Sequence, residues 1–199
     1  MAKRNNNSRG YSRRKVDTRK IRQRFLIVCE GTKTEPNYFR SFRLPGLVID
    51  IEGLGFSPSR LVEETKELKN KDEYDQVWCV FDRDSFPERD FNDAIREASK
   101  EGFNVAYSNE AFEIWYILHF EYLDTGISRR DYKKRLTKLL KSEYKKNSDS
   151  MYIELLDKQE DAIRNAIKLL EKSDSSNPAR NNPSTTVHLL VQKLNEFIP

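Results

Sequence analysis

Asp82 and Asp84 flank Arg83 at the end of the apolar run Gln76-Val77-Trp78-Cys79-Val80-Phe81. The run is rich in β-branched and aromatic residues and bounded by charge, so it reads as a buried strand. Residues two apart in extended chain project to the same side. If strand geometry continues past Phe81, the two carboxylates point together and Arg83 points away. Carboxylates forced together repel, and one must take a proton unless a cation sits between them. Oxygen-only ligands of this kind suit a hard divalent ion, Mg²⁺ above all. The blander assignment is a capping Asp and a loop Asp, since Pro87 opens a helix shortly afterwards. A matching run upstream, Phe25-Leu26-Ile27-Val28-Cys29, ends on Glu30-Gly31 and brings a third acid into the set.

Other chemistries find less support. His119 and His188 lie inside helical apolar patterns and read as packed side chains. No Cys/His cluster has zinc spacing, and no nucleophile-elbow pattern accompanies a serine. Gly31-Thr32-Lys33-Thr34 lacks the earlier glycine of a Walker loop, so ATP hydrolysis is not assigned. Cys29 and Cys79 each fall in a predicted strand and read as small core residues. There is no apolar stretch of the ~20 residues a membrane span needs and no signal-peptide core. With cysteines so few, the expected compartment is the cytoplasm.

The elements that must position the acids follow in order. The first strand covers about 24–29, and Pro36 opens a helix to about Arg43 with Tyr38, Phe39 and Phe42 on its apolar side. Leu47 to Ile51 reads as a short strand, and Ser57-Pro58 opens a helix with Leu61, Thr65 and Leu68 on one face. After the strand into Asp82, Pro87 starts a helix with Phe91, Ala94, Ile95 and Ala98 inward, stopped at Gly102. Phe103 to Tyr107 is a further strand. This alternation implies an α/β fold, a parallel sheet with helices on both faces. Sites in such sheets form at the carboxyl ends of strands where strand order reverses. In the order 2-1-3-4, Glu30, Asp82 and Asp84 would meet there.

Beyond Asn109 the chain turns helical. Residues 110–120 are apolar almost all round, so Phe112 and Trp115 read as core. Ser128 to Asp131 has capping-box spacing, with Asp in place of Glu, before a basic helix bearing Arg129, Arg130, Lys133 and Lys134. That basic face is a solvated surface or a phosphate-tracking one. Asp157 to Lys172 forms another amphipathic helix, 173–183 a polar loop, and Ser184 is expected to cap a last helix. The net charge of +4 conceals an asymmetry: residues 1–24 carry +9 and the remainder −5. A basic, Asn-rich arm of this kind will not fold alone, and such arms often hold polyanions through phosphates. The expected divisions are a basic arm (1–23), an α/β core (24–122) and a helical C-terminal part packing on it (123–199).

Four blocks in order carry a family resemblance: Arg-Phe-Leu-Ile-Val-Cys-Glu-Gly-Thr-Lys-Thr-Glu-Pro-Asn-Tyr-Phe (24–39), Val-Phe-Asp-Arg-Asp (80–84), Ser-Asn-Glu-Ala-Phe-Glu-Ile-Trp-Tyr-Ile-Leu-His-Phe (108–120) and Asn-Pro-Ser-Thr-Thr-Val-His-Leu-Leu-Val (182–191). Together they resemble the RloB-like family, a relative of the Toprim fold shared by topoisomerases, primases and OLD-type nucleases. The resemblance implies a Toprim-like (Rossmann-like) core, an association with bacterial phage-defence loci, and an AAA-type ATPase partner. In the Toprim pattern a Glu after the first strand and an Asp-x-Asp after a later one bind Mg²⁺; here these are Glu30, Asp82 and Asp84. The pattern in OLD-type nucleases adds Glu35, Glu110 and Glu113 as further metal-binding candidates. The block at 108–113 departs from the pattern, with Glu-Ala where Asn-Pro and a small residue are expected.

The implied reaction is phosphodiester cleavage in DNA or RNA, tRNA included, with one or two Mg²⁺ (or Mn²⁺) ions neutralising the scissile phosphate and activating water. Glu30 would complete the ligand set or act as general base. Lys33 in the same loop would balance phosphate charge, beside Arg83, Arg129, Arg130, Lys133 and Lys134 as substrate contacts. Two alternatives stay open: a non-catalytic Toprim-like adaptor binding nucleic acid or an ATPase, and a nucleotidyl-transfer or nucleotide-sensing enzyme on the same scaffold. The resemblance leaves room for a homo-oligomer.

Overall fold

The computed structural model describes residues 22–198. The basic arm lies, up to residue 21, outside the described residues. Four parallel strands alternate with helices: β1 (Gln23–Cys29), α1 (Thr34–Arg40), β2 (Leu47–Gly53), α2 (Pro58–Lys69), β3 (Gln76–Asp82), α3 (Glu88–Lys100) and β4 (Asn104–Asn109). The sheet runs β2-β1-β3-β4, and a fifth strand, β5 (Ser184–Thr185), closes the β4 edge antiparallel. The 2-1-3-4 order is the one on which convergence of the acids depends. The fold is α/β and Rossmann-like.

The two-residue period of the strands sorts their side chains onto two faces. Phe25, Ile27, Cys29, Trp78 and Val80 pack toward α1 and the C-terminal helices. Leu26, Val28, Val77, Cys79 and Phe81 pack toward α2 and α3. Both faces are covered, which is why the central strands read as unbroken apolar runs rather than alternating ones. Cys29 and Cys79 are buried free thiols on opposite faces of the sheet, consistent with packing roles.

After β4 come α4 (Glu113–Leu118), α5 (Arg129–Leu139), α6 (Met151–Leu155), a 3₁₀ turn (Leu156–Lys158), α7 (Gln159–Glu171) and α8 (Val187–Asn195). Every residue of α4 is buried, with Trp115 and Phe112 inside the core. Ser128 caps α5, its hydroxyl accepting the Asp131 N–H at 3.4 Å.

Ser184 is not the start of the last helix. It belongs to β5, and α8 begins at Val187. The exposed edge of β4 needs partners, and they come from this segment. Tyr107 N–H donates to Thr186 Oγ1 at 2.8 Å, while Thr185 Oγ1 donates to the Tyr107 carbonyl at 2.9 Å. Pairing a sheet edge outweighs the capping preference of Ser184. Among the described residues, no helix is long and apolar enough to cross a membrane.

Candidate active site

β1 and β3 are neighbours, and their register sets Cys29 beside Val80. The chain leaves β1 toward one face of the sheet and β3 toward the other, so a crevice opens at their carboxyl ends. Glu30 stands at the tip of β1, its N–H donating to the Val80 carbonyl at 2.8 Å. Asp82 is the last residue of β3, and its N–H donates to Glu30 Oε2 at 2.9 Å. The two acids, 52 positions apart in the chain, are therefore tied directly together.

Asp84 arrives differently from expectation. Strand geometry ends at Asp82, and Asp84 adopts a left-handed φ of 41°. Its N–H is held by the Glu110 carbonyl at 2.9 Å. The carboxylates of Asp82 and Asp84 still converge, on the guanidinium of Arg129. Arg129 Nη1 lies 2.6 Å from Asp84 Oδ2, and Nη2 lies 3.6 Å from Asp82 Oδ2.

The loop after β1 is pressed into place by its glycines. A side chain at Gly31 would collide with the Glu35 carboxylate, and one at Gly53 would lie 2.7 Å from the Gly31 carbonyl oxygen. Glu35, in the first turn of α1, is thereby folded back over Gly31 and is only 6% exposed. The result is a cavity of about 380 Å³ lined by Glu30, Glu35, Asp82 and Asp84 with Lys33, Arg129 and Lys146.

The remaining candidates are placed elsewhere. Glu113 is buried on α4 and accepts the Tyr144 hydroxyl at 3.2 Å, outside the cavity lining but near enough to act on Glu35 and Asp82. Glu110 contributes its carbonyl to Asp84, and its side chain is not part of the lining; the Asn109–Glu110 peptide is cis. Arg83 turns its guanidinium to the Asp84 carbonyl at 3.0 Å. Arg130, Lys133 and Lys134 are exposed on α5 and are not part of the cavity lining. Lys146 and Asn147 line the cavity without belonging to any motif of the sequence. They belong to the segment joining α5 to α6, and Thr34 Oγ1 donates to Asn147 Oδ1 at 2.8 Å, fastening that segment to the mouth of α1. The only local signal is the pair Lys145-Lys146.

The electrostatics are those of an acid cluster short of cations. Burial pushes the Glu30 carboxyl up to about 7, against the Asp82 N–H, with Glu35 and Asp84 adding to the rise. Burial raises Glu35 too, with Glu113 adding to it and Lys146 and Arg129 opposing it. Asp82 is driven well above the carboxylate range by burial, then by Glu35, Glu30 and Glu113. Several like charges in one low-dielectric crevice favour either protons or a bound cation. The donor set, carboxylate oxygens only, fits a hard divalent ion. Among the described residues, however, no three acids, cysteines or histidines stand at ligand spacing. Glu30 is turned to the Asp82 N–H, and the aspartates are turned to Arg129.

Fold and crevice together define an α/β, Rossmann-like protein with an acidic cavity at the point where strand order reverses. A family model described as RloB-like protein matches residues 25–194, and the chain belongs to that family. Neither the curated proteins nor the solved structures contain a match to it.

Proposed function

We propose that this RloB-like protein is a Mg²⁺- or Mn²⁺-dependent, Toprim-type nuclease that acts beside an AAA-type ATPase in bacterial antiphage defence. The observation that carries the reading is the convergence of Glu30 with Asp82 and Asp84, from the tips of two adjacent parallel strands, in one cavity that also holds Glu35. Asp82 and Asp84 would be the principal ligands, with Glu30 or Glu35 completing the set. When bound, the divalent ion supplies neutralisation of phosphate charge and activation of water.

The chain's own residues supply the rest. Glu30, whose carboxyl burial raises to about 7 in the metal-free protein and which a bound cation would bring back down, is the acid placed to take a proton from water. The Asp82 N–H fixes which oxygen of Glu30 remains free to do so. Lys33 and Lys146, both exposed on the cavity wall, meet the phosphate. The basic outer face of α5 extends the contact along the backbone of the nucleic acid.

A second reading has one observation in its favour. Arg129 already bridges the aspartate pair, as it would in a non-catalytic adaptor whose acids are structural. The test is to incubate the purified full chain with Mg²⁺ or Mn²⁺ and DNA, RNA and tRNA, beside Asp82→Ala and Glu30→Ala. Cleavage by the wild type that both substitutions abolish is the expected result. Cleavage surviving both rejects the site, and tight nucleic-acid or ATPase binding without cleavage under any condition favours the adaptor.

A further inference from the structure

Arg129 is set apart from the other basic residues of α5. Arg130, Lys133 and Lys134 are exposed and line no part of the cavity, whereas Arg129, at the first position of the helix, turns into the crevice. Its backbone is anchored because Tyr132 and Leu136, on the inner side of the same helix, are fully buried. Its side chain is not anchored in the same way, being 37% exposed at the cavity mouth. It holds one oxygen from each aspartate, Asp84 Oδ2 and Asp82 Oδ2. A divalent ion drawing on that pair would need the same oxygens, and a guanidinium beside it would meet a like charge at close range.

We infer that Arg129 is an exchangeable counter-cation: it closes the Asp82–Asp84 pair in the metal-free protein and must leave it for a divalent ion to enter. The inference rests on the metal-dependent reading above and adds a regulation of that same site. Arg129 lowers the affinity for metal and supports the fold while metal is absent. Its long stem lets it swing to solvent without unpacking α5, so the exchange needs no large movement of the backbone. Anything that draws Arg129 outward, such as a polyanion at the cavity mouth, favours metal entry. Metal binding and nucleic-acid binding therefore support one another.

Mn²⁺ binding to the metal-free full chain, followed by electron paramagnetic resonance of the free ion, tests this directly. The proteins to compare are wild type, Arg129→Gln, Arg129→Lys and Asp82→Asn. Arg129→Gln is expected to bind Mn²⁺ about tenfold more tightly than wild type or better, a difference of about 1.4 kcal/mol. Arg129→Lys, which keeps the charge and loses the fork, should fall between them. Melting without metal should show Arg129→Gln less stable than wild type, with a larger rise on adding Mn²⁺. Equal or weaker Mn²⁺ binding by Arg129→Gln, with wild type binding normally, overturns the exchange and leaves the metal site standing. No binding by any of the proteins, or Asp82→Asn binding as tightly as wild type, overturns the metal reading and the exchange with it.

Discussion

Two buried polar regions lie side by side at the tips of β3 and β4, and they are built on opposite principles. At the β4–β5 seam, Ser108, Asn109, Ser184 and Thr185 are all at most 2% exposed. Each is neutral and partnered: Ser108 Oγ lies 3.2 Å from Thr185 Oγ1, Asn109 Nδ2 donates to the Ala179 carbonyl at 2.9 Å, and Ser184 Oγ donates to the Asn181 carbonyl at 2.7 Å. At the β3 tip, Asp82, Glu35 and Glu113 are nearly as buried but like-charged, with Arg129 and Lys146 as the nearby cations. Satisfied neutral burial holds a fold together. Mutually repelling burial costs stability, and it persists where the strain serves a ligand.

Asp82→Asn breaks the comparison most sharply. On the proposed nuclease reading, metal-dependent cleavage should fall about 100-fold or more. In the absence of metal, the same variant should melt higher than wild type, by about 2–4 °C for each kcal/mol of relieved repulsion. The sign follows from the raised carboxyl: protonated Asp82 suits the folded state and ionised Asp82 does not. A lower melting temperature in EDTA would show that Asp82 is a structural acid.

Thr185→Val is expected to do the opposite to stability and nothing to cleavage. The swap keeps the shape and leaves the Tyr107 carbonyl and the Val187 N–H without the hydroxyl they now use. The loss should be about 1–3 kcal/mol of stability, with cleavage per folded molecule unchanged. Urea unfolding together with the nuclease assay checks it. A nuclease defect with stability intact would place the seam in the site.

Much of this contrast is written in the chain, though unevenly. The apolar runs ending on Cys29 and Phe81 point to adjacent buried strands because both faces of the sheet are covered. Glu30 and Asp82 follow as their tips. Strand period predicts a place for Asp84 as well, but the period stops at Asp82, and a left-handed turn carries the residue to Arg129 instead. No periodicity announces such a turn. β5 is two residues long, too short to alternate, and Ser-Thr-Thr before an apolar run looks like a cap. Only the unpaired edge of β4 reveals its role. α6 and Lys146 escape notice for a similar reason: the segment joining α5 to α6 is placed by Asn147 against Thr34, 113 positions away in the chain. The basic run of α5 is legible as a run, but only the fold shows that its first residue, Arg129, reaches the crevice while Lys133, one turn further on, does not.

His119 offers a third kind of buried polar group and the smallest effect. It is 1% exposed, its Nδ1 lies 2.8 Å from the Trp115 carbonyl, and its ring meets Trp115 edge to face. Burial pushes its pKa down to about 4, with the Trp115 and Tyr116 carbonyls opposing the change, and burial lowers His188 to about 4 as well. A folded pKa below the unfolded value of about 6.5 means that neutral histidine suits the fold. The contribution is complete above about pH 6.5 and is lost as the pH falls toward 4, a tenfold difference in proton affinity being worth about 1.4 kcal/mol. The crevice acids run the other way: raised carboxyls favour the fold at low pH and cease to as the pH climbs. Unfolding free energies of wild type and His119→Leu in EDTA, from about pH 7 down to about 4.5, isolate the histidine as a difference. The variant should lose less stability on acidification than wild type, with His188 retaining its own share. Thr185→Val, which alters no titrating side chain and keeps the Thr185 backbone beside His188, should parallel wild type throughout. If His119→Leu also runs parallel to wild type, protonation of this histidine contributes nothing to acid sensitivity, and the loss on acidification falls to His188 and other titrating groups.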